Sequence, residues 1–363
     1  MQPKRAPRLS DLIRQSSNDR VRLPATPPKL LERTIQEPVL DREGQGVSAE
    51  AEDTATDDPL VGHHIQDDAA TDYEQLEQWL ARLYRNAAQG RFDAEGIFDD
   101  AATLAERRSL VDALFAETFR PREPADPLPR AALNTAIYAL RLGAAIGYGQ
   151  DALQEVAVAG LLHKVGLSKL PTDLILGSDK LDPTALASLR EHPRLARDSI
   201  RALGRRFEAV AELVYQCHER IDGSGYPLGL REGKIDEHAL VIGLAALFDA
   251  LTHPRPYRQR LIPFAAVKEI LEKERNRFPR PVLRQFFATF SGFPPFSYVR
   301  LSSNAIAQVV ANDPAHPMRP TVVVIRDPAG RKPAERAMLR LVEHPLLHIV
   351  GPISESDVAG VVG

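Results

Sequence analysis

Residues 239–251 are the part of this chain that most constrains its fold. They read Ala-Leu-Val-Ile-Gly-Leu-Ala-Ala-Leu-Phe-Asp-Ala-Leu, so an α-helix over this stretch would be apolar on every side. Such a helix is shielded from water only when other helices surround it. The stretch therefore predicts the central helix of a bundle. Asp249 inside it predicts a carboxylate that caps or hydrogen-bonds a neighbouring element.

Helical patterns fill the chain on both sides of that stretch. Residues 129–290 read as helix after helix, with almost no alternating strand pattern. Asp151, with Gln154 three residues later, carries an N-cap signal, and Asp182 before Pro183 repeats it. These signals predict a bundle of several helices.

Two more helices are expected before the bundle. A helix is predicted from Tyr73, because apolar residues recur at helical spacing there; they are Tyr73, Leu76, Trp79, Leu80 and Leu83. A second helix is predicted from Phe98 to Phe119, followed by a proline-rich break. Two helices cannot bury their apolar faces alone, so we expect them to pack on the bundle.

The two ends of the chain differ from the helical part. Residues 1–71 are polar, with too few apolar residues to offset the entropy of ordering, so a disordered tail is expected. Short strands are expected at Tyr298–Leu301, Ala305–Val310, Thr321–Arg326 and Leu347–Ile349. The predicted fold class is mainly α, in the order tail (1–71), helical N-terminal extension (72–128), helical domain (129–295) and small β appendage (296–363).

Composition excludes several classes of protein. The net charge of −3 offers no general footprint for a polyanion, so we expect no nucleic-acid partner. A single cysteine excludes an intrachain disulfide and suits a reducing compartment. No apolar run approaches the roughly 20 residues that span a bilayer, and no apolar stretch follows the basic N-terminus. A cytoplasmic protein without a membrane span is expected.

Three histidines stand at predicted helix ends and could carry chemistry. They are His163, His192 and His218, and Gly or Pro breaks follow them. A hydrolytic metal centre in a helical bundle needs imidazoles and carboxylates that converge from several helices. Each histidine alone is more typical of a hydrogen-bonded helix end, but the shared position of all three predicts that they converge on one cleft.

Residues 129–290 resemble the HD-GYP subfamily of HD-domain phosphohydrolases. The loop 222–227, Asp-Gly-Ser-Gly-Tyr-Pro, matches the signature loop of that subfamily. Residues 249–252 and 255–258 match the block downstream of it, and 278–283 resembles its closing helix. The resemblance implies a helical HD-domain bundle. It also implies, in active members, a metal-dependent phosphodiesterase that acts on cyclic di-GMP or related cyclic dinucleotides.

Several positions depart from that pattern. Lys164 replaces the Asp that would bridge two metals, Leu167 replaces a lysine, and Ala246 replaces a helix-borne Asp. The upstream histidine is also missing, since its place falls at or beside Ala131. An ammonium about 4 Å from a dication is repelled by on the order of 8 kcal/mol at an effective dielectric near 20. We therefore expect no binuclear centre and assign no catalytic residue.

A remnant metal site is the alternative. His163, His192 and His218 keep histidines of the family pattern, and Cys217 stands where the first of two adjacent histidines would be. Imidazoles and a thiolate could hold one Zn or Fe ion with an open position. The other interpretation is that Cys217 continues the apolar stripe of Val210 and Val214 as a small buried thiol. The expected cofactor is none, or one ion at this remnant.

The signature loop also has two interpretations. Gly223 and Gly225 permit positive φ and Pro227 fixes the exit, which is typical of a rigid turn. The resemblance implies instead an exposed surface that engages GGDEF-type diguanylate cyclase domains, with Tyr226 as an aromatic anchor. The predicted partner-binding residues are Asp222, Gly223, Gly225, Tyr226 and Pro227.

A group of arginines could hold the phosphates of cyclic di-GMP without a metal. Arginine binds phosphate through two parallel hydrogen bonds, and the candidates are Arg194, Arg197, Arg255 and Arg258. The alternative is a solvated basic face.

Two functions from different classes follow. The first is a catalytically inactive regulatory or interaction module of cyclic di-GMP signalling. The second is a phosphodiesterase that hydrolyses cyclic di-GMP through an altered, mononuclear metal site. The altered positions Lys164, Leu167 and Ala246 favour the first.

Overall fold

The computed structural model describes residues 59–353 and residue 358, without residues 95, 121, 123–125, 177–181, 254–259, 291, 314–315, 317 and 335. Side chains are described from Ala69 onward, except that of residue 173. The chain is 57% helical and 10% strand, which confirms the mainly α class. In the described part, no helix is both long enough and apolar enough to cross a membrane.

The helices in chain order are α1 (Pro59–Ala88), α2 (Ile97–Glu106), α3 (Arg108–Glu117), α4 (Pro127–Ile146), α5 (Gln150–Leu162), α6 (Thr172–Leu176), α7 (Pro183–Arg190), α8 (His192–Arg201), α9 (Glu208–Gln216), α10 (Glu237–Thr252), α11 (Pro263–Lys273) and α12 (Arg280–Phe290). Asp182 caps α7, since its Oδ1 accepts from the Ala185 N–H at 2.7 Å. At α5 the cap position is Gly149, which makes no side-chain cap, so the predicted Asp151 cap is wrong by two residues.

The helix α1 begins earlier than the sequence predicts. It starts at Pro59, so the predicted disordered tail is wrong for residues 59–71, and residues 1–58 lie outside the described part. Burial accounts for the turn before Tyr73, because Ala69 and Asp72 both lie in the interior. Adding turns to a helix that already exists costs much less than starting one.

The single helix predicted from Phe98 to Phe119 is two helices. Arg107 separates α2 from α3 with φ −104° and ψ 75°, and its N–H bonds the Leu104 carbonyl. Leu104 on α2 and Leu110, Val111 and Leu114 on α3 are buried on the two sides of this break.

The helix α10 lies at the centre of the bundle, as its sequence predicts. Of the ten residues from Ala239 to Phe248, all except Leu247 are buried. The helix contacts α4, α5, α9 and α11. An aromatic cluster of Phe115, Tyr138, Phe248, Phe286 and Phe290 joins α3, α4, α10 and α12.

Asp249 is the polar group at the inner end of α10, and it hydrogen-bonds as expected. Its Oδ1 accepts from Asn134 Nδ2 at 2.9 Å and lies 3.0 Å from His253 Nδ1. Asn134 Oδ1 in turn accepts from the Tyr73 hydroxyl at 2.5 Å, and His253 Nε2 donates to the Thr118 carbonyl at 2.8 Å. This network fastens α1 and the end of α3 to the centre of the bundle.

The C-terminal part is a five-stranded antiparallel sheet. Its strands are β1 (Tyr298–Leu301), β2 (Ile306–Ala311), β3 (Thr321–Arg326), β4 (Met338–Arg340) and β5 (Ile349–Ile353), in the order β4-β3-β2-β1-β5. The prediction of a strand at Leu347–Ile349 is wrong except for its last residue, and β4 was not predicted. The reason is that β4 has only three residues, alternating exposed and half-buried, which is too short for a period to show.

Candidate functional site

His163 ends helix α5 and points its free ring nitrogen into the interior. The residue is fully buried, and its Nδ1 lies 2.7 Å from the Gly160 carbonyl oxygen. Since a carbonyl only accepts, Nδ1 carries the proton and Nε2 carries a lone pair. That Nε2 is buried without a hydrogen-bond partner among the described residues. Burial holds the pKa of His163 well below its usual value, and the positive charge of Lys164 lowers it further.

His192 and His218 form a hydrogen-bonded pair beside it. His192 Nδ1 donates to the Leu189 carbonyl at 2.8 Å, so its Nε2 must accept. The Nε2 atoms of His192 and His218 lie 3.0 Å apart, which makes His218 the donor. Burial lowers the pKa of His192 to about 4 and that of His218 well below its usual value. Both imidazoles are therefore neutral near pH 7.

Lys164 lies among these histidines. It is 8% exposed, and the positive charge of its ammonium group lowers the pKa values of His163, His192 and His218. The same charge acts on Cys217. One ammonium can influence all four groups only if it lies within electrostatic range of each. We call His163, Lys164, His192 and His218 the histidine cluster.

Two glycines allow the segments of the cluster to approach. A Cβ on Gly166 would overlap the His192 carbonyl oxygen, so the turn after Lys164 packs directly against the start of α8. A Cβ on Gly243 would overlap the Cys217 carbonyl oxygen, which brings the end of α9 against α10. Close backbone contact, rather than an unusual φ, requires glycine at both positions.

Cys217 faces the core. It is fully buried, its Sγ donates to the Val214 carbonyl at 3.2 Å, and burial raises the pKa of its thiol to about 12. Metals bind the thiolate, which burial disfavours here. The contacts therefore favour the interpretation of Cys217 as a small core residue.

The other altered positions supply apolar surface. Leu167, Ala246 and Ala131 are buried, and Leu167 packs in the main core. Across the part of the chain that the structure describes, no group of three or more His, Cys, Asp or Glu is placed to hold a metal ion. The donor set does not fit the binuclear centre that the family resemblance implies. For the one-ion remnant, the structure brings His192 and His218 together and leaves Cys217 facing away.

The signature loop is held in place by Glu219, a residue that sequence reasoning missed. Its buried carboxylate accepts from the Leu228 N–H at 2.6 Å and from the Leu230 N–H at 2.9 Å. The available signal was an acidic residue directly after His218, at a helix end that a glycine-rich reversal follows. Such a carboxylate can satisfy the loop's backbone donors.

Tyr226 covers the histidine pair instead of standing free as an exposed anchor. Its ring stacks on His218 with centroids 4.9 Å apart and planes 4° apart, and the Arg190 guanidinium lies 5.5 Å from its centroid. The exposed residues of the loop are Asp222 and Ser224, and Leu228, which directly follows the loop, is 54% exposed. Leu228 is a second residue that the sequence did not single out. Gly223, Gly225 and Pro227 are half-buried.

Two of the predicted phosphate contacts, Arg194 and Arg197, form ion pairs with carboxylates. Arg194 pairs with Glu191 and Asp198, and Arg197 pairs with Asp198 and lies 3.9 Å from the Tyr215 ring centroid. These contacts, on the exposed face of α8, favour the interpretation of a solvated basic face. Arg255 and Arg258 lie outside the described residues.

Comparison with known proteins places this site in a family. Residues 110–282 match the HD domain family, and residues 298–360 match the KOW domain associated with HD domains. The chain is 25% identical over 190 residues to cyclic di-GMP phosphodiesterase PdeB of Borreliella burgdorferi, which covers 52% of this chain and 50% of that protein. It is 26% identical over 189 residues to cyclic di-GMP phosphodiesterase PA4108 of Pseudomonas aeruginosa, with 52% and 45% covered.

One further curated relative and one solved structure are also similar to this chain. The chain is 31% identical over 139 residues to the cyclic di-GMP phosphodiesterase response regulator RpfG of Xanthomonas campestris, with 38% and 37% covered. It therefore spans half or less of the length of these relatives. A solved structure, Bd1817, an HDG"Y"P protein from Bdellovibrio bacteriovorus, matches with a TM-score of 0.47 and 17% identity over 65% of this chain and 73% of that one.

Proposed function

The chain belongs to the HD-domain family, and on that premise we propose that it is a regulatory module of cyclic di-GMP signalling that lacks two-metal hydrolysis. Its relatives named above are cyclic di-GMP phosphodiesterases, which supports the signalling system. The observation that carries the proposal is the buried Lys164, whose charge acts on His163, His192 and His218.

The chemistry of the cluster supports loss of the reaction. Two-metal hydrolysis depends on cations that generate the nucleophile and stabilise the developing charge. Here the position of the bridging carboxylate carries an ammonium, and Ala246 and Leu167 contribute only apolar surface. No described side chain near the cluster offers a substitute for the missing carboxylates, because Asp249 already bonds Asn134 and His253 and Glu219 bonds the loop.

The signature loop is the proposed contact surface, and its partner is a GGDEF-type diguanylate cyclase domain. Leu228, directly after the loop, supplies exposed apolar surface, and Asp222 and Ser224 are the exposed polar residues of the loop. The hydrogen bonds of Glu219 and the stack of Tyr226 on His218 hold the loop against the histidine cluster. A preformed surface loses less entropy on binding than a mobile one. In this proposal the histidine cluster supports a binding loop.

Hydrolysis assays test the catalytic half of the proposal. Purified protein with Mn²⁺ or Fe²⁺ and cyclic di-GMP should give no product above background by chromatography. The variant that carries Lys164→Asp, Cys217→His and Ala246→Asp should gain at most partial activity, since Leu167 and the missing upstream histidine remain. Turnover by the natural chain that His163→Ala abolishes would overturn the proposal.

The second candidate function is an altered, mononuclear phosphodiesterase. The His192 and His218 Nε2 atoms, 3.0 Å apart, favour it, because two imidazoles at this separation could bind one ion. Metal-dependent turnover that His192→Ala removes would promote this candidate over the first.

A further inference from the structure

A half-open pocket lies away from the histidine cluster. It has a volume of about 320 Å³ and is lined by residues of α2, α3, α4, α5 and α12. Leu153 lines it, ten residues before His163 on the same helix, so roughly 15 Å of helix separates the two sites. The apolar walls include Leu104, Val111, Leu140 and Leu153, and the polar side chains are Arg108, Asp112, Arg141 and Thr289.

Arg141 is the unusual group in this pocket. Its side chain is 19% exposed, its guanidinium lies 4.2 Å from the Phe115 ring centroid, and burial lowers its pKa to about 10. Its Nε is buried without a hydrogen-bond partner in the part of the chain that the structure describes. A desolvated cation normally has its donors matched by acceptors. This guanidinium is therefore incompletely matched.

The charges of the pocket do not cancel. Arg141 pairs with Asp112, but the Asp112 side chain is 63% exposed, so solvent weakens that pair. Arg108 contributes a second positive charge and donates to the Ala144 carbonyl at 3.5 Å, a long bond. Two arginines and one aspartate leave an excess of one positive charge beside an apolar cavity.

We propose that this pocket binds a small organic monoanion, a carboxylate with a short apolar body. An arginine beside apolar walls recognises such a molecule, because the guanidinium takes the carboxylate and the walls take the aliphatic part. The volume is near the lower limit of about 300 Å³ for ligand pockets, which suits a small ligand. Since the ligand would contact α2, α3, α4 and α5 together, its binding would stabilise the packing of α2 and α3 on the bundle.

Matched probes test the chemical class. Isothermal titration of the full chain with hexanoate should show one site, and hexan-1-ol and hexylammonium should bind at least tenfold more weakly. Hexan-1-ol binding as tightly as hexanoate would overturn the role of the arginines. Inorganic phosphate binding as tightly as hexanoate would overturn the role of the apolar walls.

Three variants test whether the ligand binds in this pocket. Arg141→Met should weaken hexanoate binding at least tenfold. Ala144→Leu should do the same by filling the cavity while both arginines remain, so a folding defect in the first variant leaves the test intact. Arg206→Met is the matched control, because Arg206 also lies over an aromatic ring, 4.3 Å from the Phe98 centroid, and does not line the pocket. Unchanged binding in Ala144→Leu overturns the proposal, as does equal weakening in Arg206→Met.

Discussion

Tyr226 lies flat on His218, with ring centroids 4.9 Å apart and planes 4° apart. The signature loop and the histidine cluster are therefore one packed unit, and a change in either reaches the other. The coupling bears on any mutation that is meant to separate partner binding from chemistry, because Tyr226 is part of the loop and packs on the cluster.

Leu228 is the residue that tests partner binding without disturbing the cluster. It is 54% exposed, so Leu228→Ala should leave thermal stability unchanged while it reduces capture of a GGDEF-domain partner in a pull-down. Truncating an interface anchor costs 2 kcal/mol or more, roughly thirty-fold in affinity. Leu186→Ala is the control, since Leu186 on α7 is also an exposed leucine, at 38%. Equal losses in both variants would contradict a specific role for the loop.

Glu219→Gln should loosen the loop. A glutamine can accept one of the two N–H bonds from Leu228 and Leu230, but its amide nitrogen then faces the other donor. An unsatisfied buried donor costs about 1–3 kcal/mol, so amide exchange at Leu228 and Leu230 should accelerate measurably. The exposed Glu232→Gln serves as control. Exchange rates equal to those of the natural chain would show that the loop is held by other contacts.

His192 should make the fold sensitive to acid. Its pKa in the folded protein is lowered to about 4, below the unfolded value of 6.5. The unfolded state therefore binds a proton that the folded state does not, and stability is lost as pH falls from about 6.5 to about 4. A shift of this size corresponds to about 3 kcal/mol. Urea unfolding between pH 7 and pH 4 should show a shallower decline for His192→Asn than for the natural chain.

The contribution of His253 to stability should depend on pH in the opposite direction. Both its ring nitrogens face acceptors, Asp249 Oδ1 at 3.0 Å and the Thr118 carbonyl at 2.8 Å. Burial lowers its pKa, but the Asp249 carboxylate and these hydrogen bonds outweigh that effect and raise it. Its stabilisation is present below the unfolded pKa and is lost as pH rises through the folded pKa. A proton-NMR titration should find the pKa of His253 above 6.5, and a pKa below 6.5 would contradict the geometry.

Local sequence patterns were enough to predict much of this fold. The apolar character of residues 239–251 predicted α10, and the shared helix-end position of His163, His192 and His218 drew attention to the site. The break at Arg107 could not be predicted, because it is set by where α2 and α3 pack. The role of Tyr226 also depends on tertiary contact, since its stack on His218 arises from the path of the loop that Glu219 holds.

The number of metal ions per chain tests most directly whether Lys164 prevents formation of a metal centre. Protein purified without added metal, and then dialysed against Mn²⁺ or Fe²⁺, would be assayed by elemental analysis for transition-metal ions per chain. We predict that the natural chain holds no binuclear centre, and that the variant with Lys164→Asp, Cys217→His and Ala246→Asp retains more metal than the natural chain. Two transition-metal ions per natural chain, lost on His163→Ala, would contradict the claim that the ammonium of Lys164 has displaced the metal centre.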